Sequence, residues 1–210
     1  MLSECMLAVL KFVSRFVFVH ILGKEYLGLD GLFTDILTVL SLAELGFSVS
    51  ITYSLYRPVA EGDTELIKSL IRLYRRVYQI VGVTVLAVGA SLTPFLDFFV
   101  KKMPEDISHI PLVYLLNVLN TGVSYFFVYK STLLFVYQKK YIDTMIRAGV
   151  TLLVNAVQIV VLVVSGDYLY YLYILVIGTL LQNVAVAVKT DRLYPYLREK
   201  EVRPLPGEIR

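Results

Sequence analysis

Six apolar stretches, each long enough to cross a lipid bilayer as a helix, dominate this 210-residue sequence. They span roughly residues 2–22, 31–56, 77–100, 110–133, 144–165 and 168–188. A membrane-spanning helix needs about 20 mainly apolar residues, whereas a membrane strand needs only about 9–11. Hydrophobic residues make up 57% of the chain and charged residues 18%, against about 45–50% and about 25% in ordinary soluble domains. The sequence therefore predicts an all-α integral membrane protein with a six-transmembrane-helix bundle over residues 1–189.

Lysine and arginine are unevenly distributed between the connections, and this asymmetry predicts the orientation. The second connection, the fourth connection and the polar tail at 190–210 are rich in basic residues. The connections on the other side offer only Lys24, Lys101 and Lys102. Because basic loops stay on the cytoplasmic side, we expect both termini and the tail to be cytoplasmic. The net charge of +3 is too small to indicate a nucleic-acid partner.

Two of the connections have predicted structures of their own. Residues 57–76 are expected to include a short helix capped by Asp63 or Thr64. Its apolar face would lie on anionic lipid headgroups, or the helix would be a solvated connector; the pattern allows both. The stretch "GLDG" at 28–31 is typical of a loop.

Polar side chains recur at helical spacing inside four of the apolar stretches. The first carries Lys11 and Arg15, one turn apart. The others carry, in chain order, Thr34, Thr38, Ser41, Glu44, Ser48 and Thr52; Asn117, Asn120, Thr121, Ser124 and Ser131; and Arg147, Thr151, Asn155, Gln158 and Ser165. Serine and threonine alone are typical of helix–helix contacts. Charged and carboxamide groups are costly in lipid, so the pattern favours a shared hydrated cavity.

The candidate residues for that cavity are the charged and carboxamide groups of the stripes: Arg15, Lys11, Glu44, Asn117, Asn120, Asn155 and Gln158. Glu44 has two physical options, an ion pair with Arg15 or protonation by desolvation, and the sequence leaves both open. Lys130 and Arg147 are interpreted as anchors at the membrane surface.

No enzyme signature accompanies these stripes. The chain has one cysteine and two histidines, and it contains no glycine-rich phosphate loop and no nucleophile elbow. We therefore expect no catalytic residues, no metal and no cofactor.

Several motifs give the sequence a family resemblance. They are "LG.EYLGL.GLF" at 22–33, "LSLAELG" at 40–46, "Y.LY.P.AE.D" at 53–63 and "YK..LL...QK.YI" at 129–142. With these motifs the chain resembles the polysaccharide-biosynthesis (O-antigen, or oligosaccharide-lipid) flippases of the multidrug/oligosaccharidyl-lipid/polysaccharide exporter superfamily. The resemblance implies two six-helix lobes that rock about a central cavity. It also implies transport of polyprenyl-pyrophosphate-linked oligosaccharide across the bacterial inner membrane, with Arg15, then Lys11, meeting the pyrophosphate.

The length departs from that family, because 210 residues supply one lobe only. The expectation is the N-terminal lobe of a truncated or split flippase, which needs a second six-helix lobe or a second copy to close its cavity. Two alternatives stay open: a drug–cation antiporter of the same superfamily, and a non-transporting remnant or assembly partner. An excess of cationic candidates over Glu44 weighs against the antiporter.

Overall fold

The computed structural model describes residues 2–41, 45–99 and 109–199. Within these ranges the chain is helical, without a strand. The α-helices are α1 (Leu2–Leu22), α2 (Lys24–Ser41), α3 (Leu45–Glu61), α4 (Thr64–Ser91), α5 (Leu96–Phe99), α6 (Ile110–Tyr125), α7 (Val128–Val136), α8 (Lys140–Ser165) and α9 (Tyr168–Leu193). Short 3-10 turns lie at Thr93–Phe95 and Pro195–Arg198. The prediction of an all-α protein is confirmed for this part of the chain.

Three of the described helical segments are long and apolar enough to cross a membrane: Thr64–Phe95, Lys140–Ser165 and Tyr168–Leu193. The bent pair of α6 and α7, which turns by 41° at its break, makes a fourth if it is one span. Six spans were expected, and three to four are supported by length and composition. In α2 the polar groups Lys24, Glu25, Asp30 and Asp35 dilute the apolar residues.

Of the second predicted span, 31–56, the structure describes α2 up to Ser41 and α3 from Leu45 onward. Gly23 separates α2 from α1 with φ of 95°, a conformation that costs glycine little because it has no Cβ. Since α2 begins at Lys24, the "GLDG" segment is helical, and the prediction of a loop there is wrong. The consequence for function is that Asp30 belongs to a helix that packs inside the bundle.

The predicted short interfacial helix is the first part of α4, a continuous helix of 28 residues. Asp63 caps it as predicted, because its carboxylate accepts a hydrogen bond of 3.0 Å from the backbone N–H of Leu66. Ile67, Leu70 and Tyr74 are buried among other protein side chains. The prediction of a separate helix with its apolar face on lipid headgroups is therefore wrong.

Two hydrophobic clusters organise the bundle. One joins α3, α4 and α7 with Tyr194 beyond the end of α9, and the other joins α1, α2, α6 and α9 around buried Phe33 and Tyr114. Helices approach closely at glycines: Gly89 of α4 lies against Val118 of α6, and Gly178 of α9 lies against Val154 of α8. The second cluster surrounds the polar residues described next.

Candidate functional site

Two adjoining cavities, here together called the central cavity, lie within the second cluster. One, of about 310 Å³, is lined by Asp30, Thr34, Leu37, Thr38, Ser41, Asn117, Asn120, Thr121, Tyr171 and Leu175. The other, of about 200 Å³, is lined by Ser14, Arg15, Phe18, Leu27, Asp30, Asn155 and Tyr171. Asp30 and Tyr171 line both and join them. Five helices, α1, α2, α6, α8 and α9, therefore turn polar side chains toward one space.

A charged pair lies at the centre of this arrangement. The guanidinium of Arg15 interacts electrostatically with the carboxylate of Asp30. The hydroxyl of Tyr168 donates a hydrogen bond of 2.9 Å to Asp30 Oδ1. Asn117, which lines the same cavity, donates through Nδ2 to the carbonyl of Val113 at 3.0 Å. The described residues thus bring one cation and one anion to the cavity, and a ligand there meets both signs of charge.

Tyr171 is the second organising residue of the cavity. It lines the smaller cavity together with Ser14 of α1. Its backbone carbonyl accepts a hydrogen bond of 3.2 Å from Nε2 of Gln158. The side chain of Gln158 on α8 therefore holds the first turn of α9 in place beside the cavity.

The neutral groups of the cavity leave hydrogen-bonding capacity for a ligand. Asn155 donates through Nδ2 to the carbonyl of Thr151 at 2.8 Å, which leaves its Oδ1 available. Asn120 Oδ1 is buried and has no hydrogen-bond partner among the described residues. Buried polar atoms are rarely left unsatisfied, so Asn120 marks a position where water or a ligand donor binds.

The structure brings together four of the seven candidate residues from the sequence: Arg15, Asn117, Asn120 and Asn155 line the central cavity. Gln158 is buried with 2% of its surface exposed, and its described hydrogen bond holds α9. Lys11 lies in α1, but its side chain is outside the described part of the structure. Glu44 lies outside the described residues, so its two options stay predictions.

Asp30, Tyr168 and Tyr171 are the cavity residues that the sequence reasoning did not select. Asp30 was assigned to a loop because glycines flank it. A signal was present: Asp30 lies four residues before Thr34, which extends the polar stripe of that helix by one turn.

Two other stripe residues, Ser131 and Arg147, belong to a separate polar cluster between α7, α8 and α9. Arg147 bonds Asp143 at 3.0 Å, Ser131 at 3.2 Å and Asn183 at 3.4 Å. Lys130 pairs with Asp191 at 2.6 Å. Lys130 and Arg147 each have a carboxylate partner within the protein, and their assignment as anchors at the membrane surface stays a prediction.

Comparison of the chain with family models, with curated proteins and with solved structures finds no match.

Proposed function

We propose that this chain is one lobe of a membrane flippase that binds a polyprenyl-pyrophosphate-linked oligosaccharide and moves it across the bacterial inner membrane by alternating access. The observation that carries the proposal is the central cavity, where Arg15, Asp30 and several amide and hydroxyl groups meet between helices. Those helices carry extensive exposed apolar surface elsewhere; Val164, for example, is 82% exposed. A polar space inside an apolar bundle suits a polar headgroup whose lipid tail stays in the bilayer.

The chemistry of the lining fits such a headgroup. Arginine binds phosphate oxygens through two parallel N–H bonds. Asparagine, threonine and tyrosine side chains both donate and accept, as sugar hydroxyls require. The sequence resemblance to oligosaccharide-lipid flippases points to the same class of ligand.

The proposal retains the six-span arrangement expected from the sequence, with α1 and the pair α2–α3 also crossing and both termini cytoplasmic. It follows that Gly166 and Asp167 face outward, while Lys139 and Lys140 face the cytoplasm. The lobe closes its cavity against a second six-helix lobe or a second copy. Labelling of single cysteines at 167 and 140 in intact cells with a membrane-impermeant maleimide tests this: reaction at 167 alone is expected, and reaction at 140 alone contradicts it.

Binding tests the function. The purified full chain in lipid nanodiscs is titrated with a fluorescent polyprenyl-pyrophosphate disaccharide. R15Q is expected to weaken binding by about tenfold or more, because the interaction of an arginine with phosphate is charge-assisted. The matched control is R76Q, which removes an exposed arginine from α4 outside the cavity and should bind as the wild type does. Equal affinity of R15Q and R76Q, or failure of the wild type to bind, contradicts the proposal.

Asp30 favours one alternative, the drug–cation antiporter. A carboxylate beside the cavity is the group that a lipophilic cation would use, and the described lining balances Arg15 against Asp30. The two functions separate in one comparison. If D30N abolishes binding of a fluorescent lipophilic phosphonium while R15Q does not, the chain is an antiporter lobe. If R15Q abolishes binding of the lipid-linked disaccharide and the phosphonium does not bind, it is a flippase lobe.

A further inference from the structure

A third cavity lies next to the central cavity, at the end of the bundle where α9 begins. It has a volume of about 410 Å³, and Tyr26, His109, Asp167 and Tyr168 are among its lining residues. It is here called the end cavity. Tyr168 lines the end cavity while its hydroxyl bonds Asp30, which lines the central cavity. One side chain therefore lies at the boundary of the two spaces.

The ring of Tyr168 fills that boundary by contact with aromatic rings on both sides. Phe18, from the central cavity, meets it edge-on with ring centroids 5.5 Å apart. Tyr26, from the end cavity, meets it edge-on at 5.4 Å. Only 3% of the Tyr168 surface is exposed. Edge-to-face contacts of this kind add to the stability of a buried ring, so the closed position is well defined.

The position of Tyr168 in the chain allows movement. It is the first residue of α9, directly after Gly166, which has φ of 63°, and Asp167. Helix ends next to short connections absorb changes in φ and ψ more readily than helix interiors do. The polar bond that holds the ring inward runs to Asp30, the same carboxylate that faces the central cavity.

We propose that Tyr168 is a gate between the central cavity and the end cavity, latched shut by its hydrogen bond to Asp30 and released when a ligand donor takes that carboxylate. A ligand that presents a hydroxyl or a cationic group to Asp30 competes directly for Oδ1. Binding in the central cavity thereby weakens the latch, and the exit toward the Gly166 end opens only when the cavity is occupied. The gate rests on the proposed transport function, because it assigns the end cavity as the second mouth of the same pathway.

Cysteine accessibility tests the gate without any transported ligand. Cys5, the only cysteine of the chain, is replaced by serine, and Thr34 of the central cavity is replaced by cysteine as a reporter. The protein is reconstituted into oriented proteoliposomes, and a separate S165C variant identifies the side of the membrane on which residue 165 lies. A membrane-impermeant maleimide is then added from that side. While the hydrogen bond between Tyr168 and Asp30 is intact, T34C should react slowly with maleimide added from this side. Y168F is expected to raise the labelling rate about tenfold or more, because it removes a hydrogen bond to a charged acceptor.

The matched control is Y170F, which alters a tyrosine of the same helix that is 53% exposed. It should leave the labelling rate of T34C equal to that of the protein in which Tyr168 and Tyr170 are both retained. D30N keeps an oxygen acceptor, so its labelling rate should lie between those of the wild-type latch and D30A. Equal rates in Y168F and Y170F overturn the gate, and so does D30A labelling no faster than D30N. Y168F retains the ring and its contacts, and an unchanged thermal unfolding midpoint identifies its effect as loss of the latch.

The outcomes also separate this inference from the proposed function. If the lipid-linked disaccharide fails to bind but Y168F exposes T34C, the gate stands and the ligand class is wrong. If the disaccharide binds and its addition leaves the labelling rate of the latched protein unchanged, the coupling of gate to ligand is wrong while the proposed function stands.

Discussion

Lys130 Nζ lies 2.6 Å from Asp191 Oδ2 and joins α7 to α9 across 61 residues of sequence. The two side chains are 15% and 22% exposed, so water screens the pair only partly. Removing one partner of a shielded ion pair leaves the other charge with its desolvation cost uncompensated. This bond therefore holds α7 against α9 more strongly than a surface ion pair would.

The first prediction concerns that pair. K130M is expected to lower the free energy of unfolding by about 1–3 kcal/mol, between the values for exposed and fully buried pairs. The measurement is reversible unfolding in mixed detergent. R57Q breaks the pair of Arg57 with Glu61, whose side chains are 85% and 54% exposed, and should cost less than about 1 kcal/mol. The double variant K130M/D191L should recover part of the loss; a K130M effect no larger than that of R57Q contradicts the argument.

The second prediction concerns the close contact of α4 with α6. A Cβ on Gly89 would lie 2.7 Å from Cγ1 of Val118, so G89A should lower the free energy of unfolding by about 1–3 kcal/mol through overpacking. The double variant G89A/V118A provides room for the added methyl group and should restore part of the lost unfolding free energy. The control is G149A in α8, where nothing lies within 4 Å of the added methyl; it should stabilise by about 0.5–1 kcal/mol because alanine favours helix. The measurement is thermal unfolding of the wild type and of these three variants.

The helical class and most of the helix positions could be predicted from the sequence, because long apolar runs leave few alternatives. The end of α1 at Leu22 agrees with the predicted stretch 2–22, but the start of α2 could not be predicted, since a glycine pair around Asp30 is as compatible with a helix as with a loop until packing is known. That α4 is one continuous helix over Thr64–Ser91 could not be predicted for a similar reason. Ile67, Leu70 and Tyr74 form an apolar face in any case, and only tertiary contacts reveal that protein covers it.

Part of the candidate site could be predicted, because polar groups on apolar helices need polar partners and therefore tend to lie together. Arg15, Asn117, Asn120 and Asn155 were selected on that ground and line the cavity. Asp30 lines the same cavity as Arg15; its spacing from Thr34 was a signal, but its approach to Arg15 depends on how α1 and α2 pack. Arg147 and Ser131 also satisfied the spacing rule but face a different cluster.

The third prediction separates two carboxamides that lie three residues apart on α8. N155A should weaken binding of the fluorescent lipid-linked disaccharide about three- to tenfold, since it removes one neutral hydrogen bond from the cavity. Its unfolding free energy should stay near the wild-type value. Q158L should do the reverse: it removes the bond to the Tyr171 carbonyl and lowers the unfolding free energy by about 1 kcal/mol, with little change in affinity. If N155A instead lowers the unfolding free energy and Q158L instead weakens binding, the two residues have the reverse roles and this prediction is wrong.

The fourth prediction concerns the segment after α9, where Tyr194 stacks on Tyr137 with ring centroids 4.4 Å apart. Burial, with the neighbouring Tyr137 and Tyr141, raises the pKa of Tyr194 to about 12. An exposed tyrosine in the unfolded chain has a pKa of about 10. The folded state therefore holds this proton longer than the unfolded state, so the contribution to stability is complete below about pH 10 and is lost as the pH rises toward about 12.

Y194F should accordingly flatten the fall of the unfolding free energy over that alkaline window, because phenylalanine keeps the stacked ring and has no proton to lose. The measurement is denaturant unfolding at a series of pH values, with the absorbance of tyrosinate followed in parallel. Y170F, a substitution of an exposed tyrosine on α9, should leave the wild-type pH dependence unchanged. If the unfolding free energies of Y194F and Y170F fall equally with pH in the alkaline window, ionisation of the Tyr194 hydroxyl does not destabilise the fold. Burial of Tyr194 then does not hold the segment 194–199 in place.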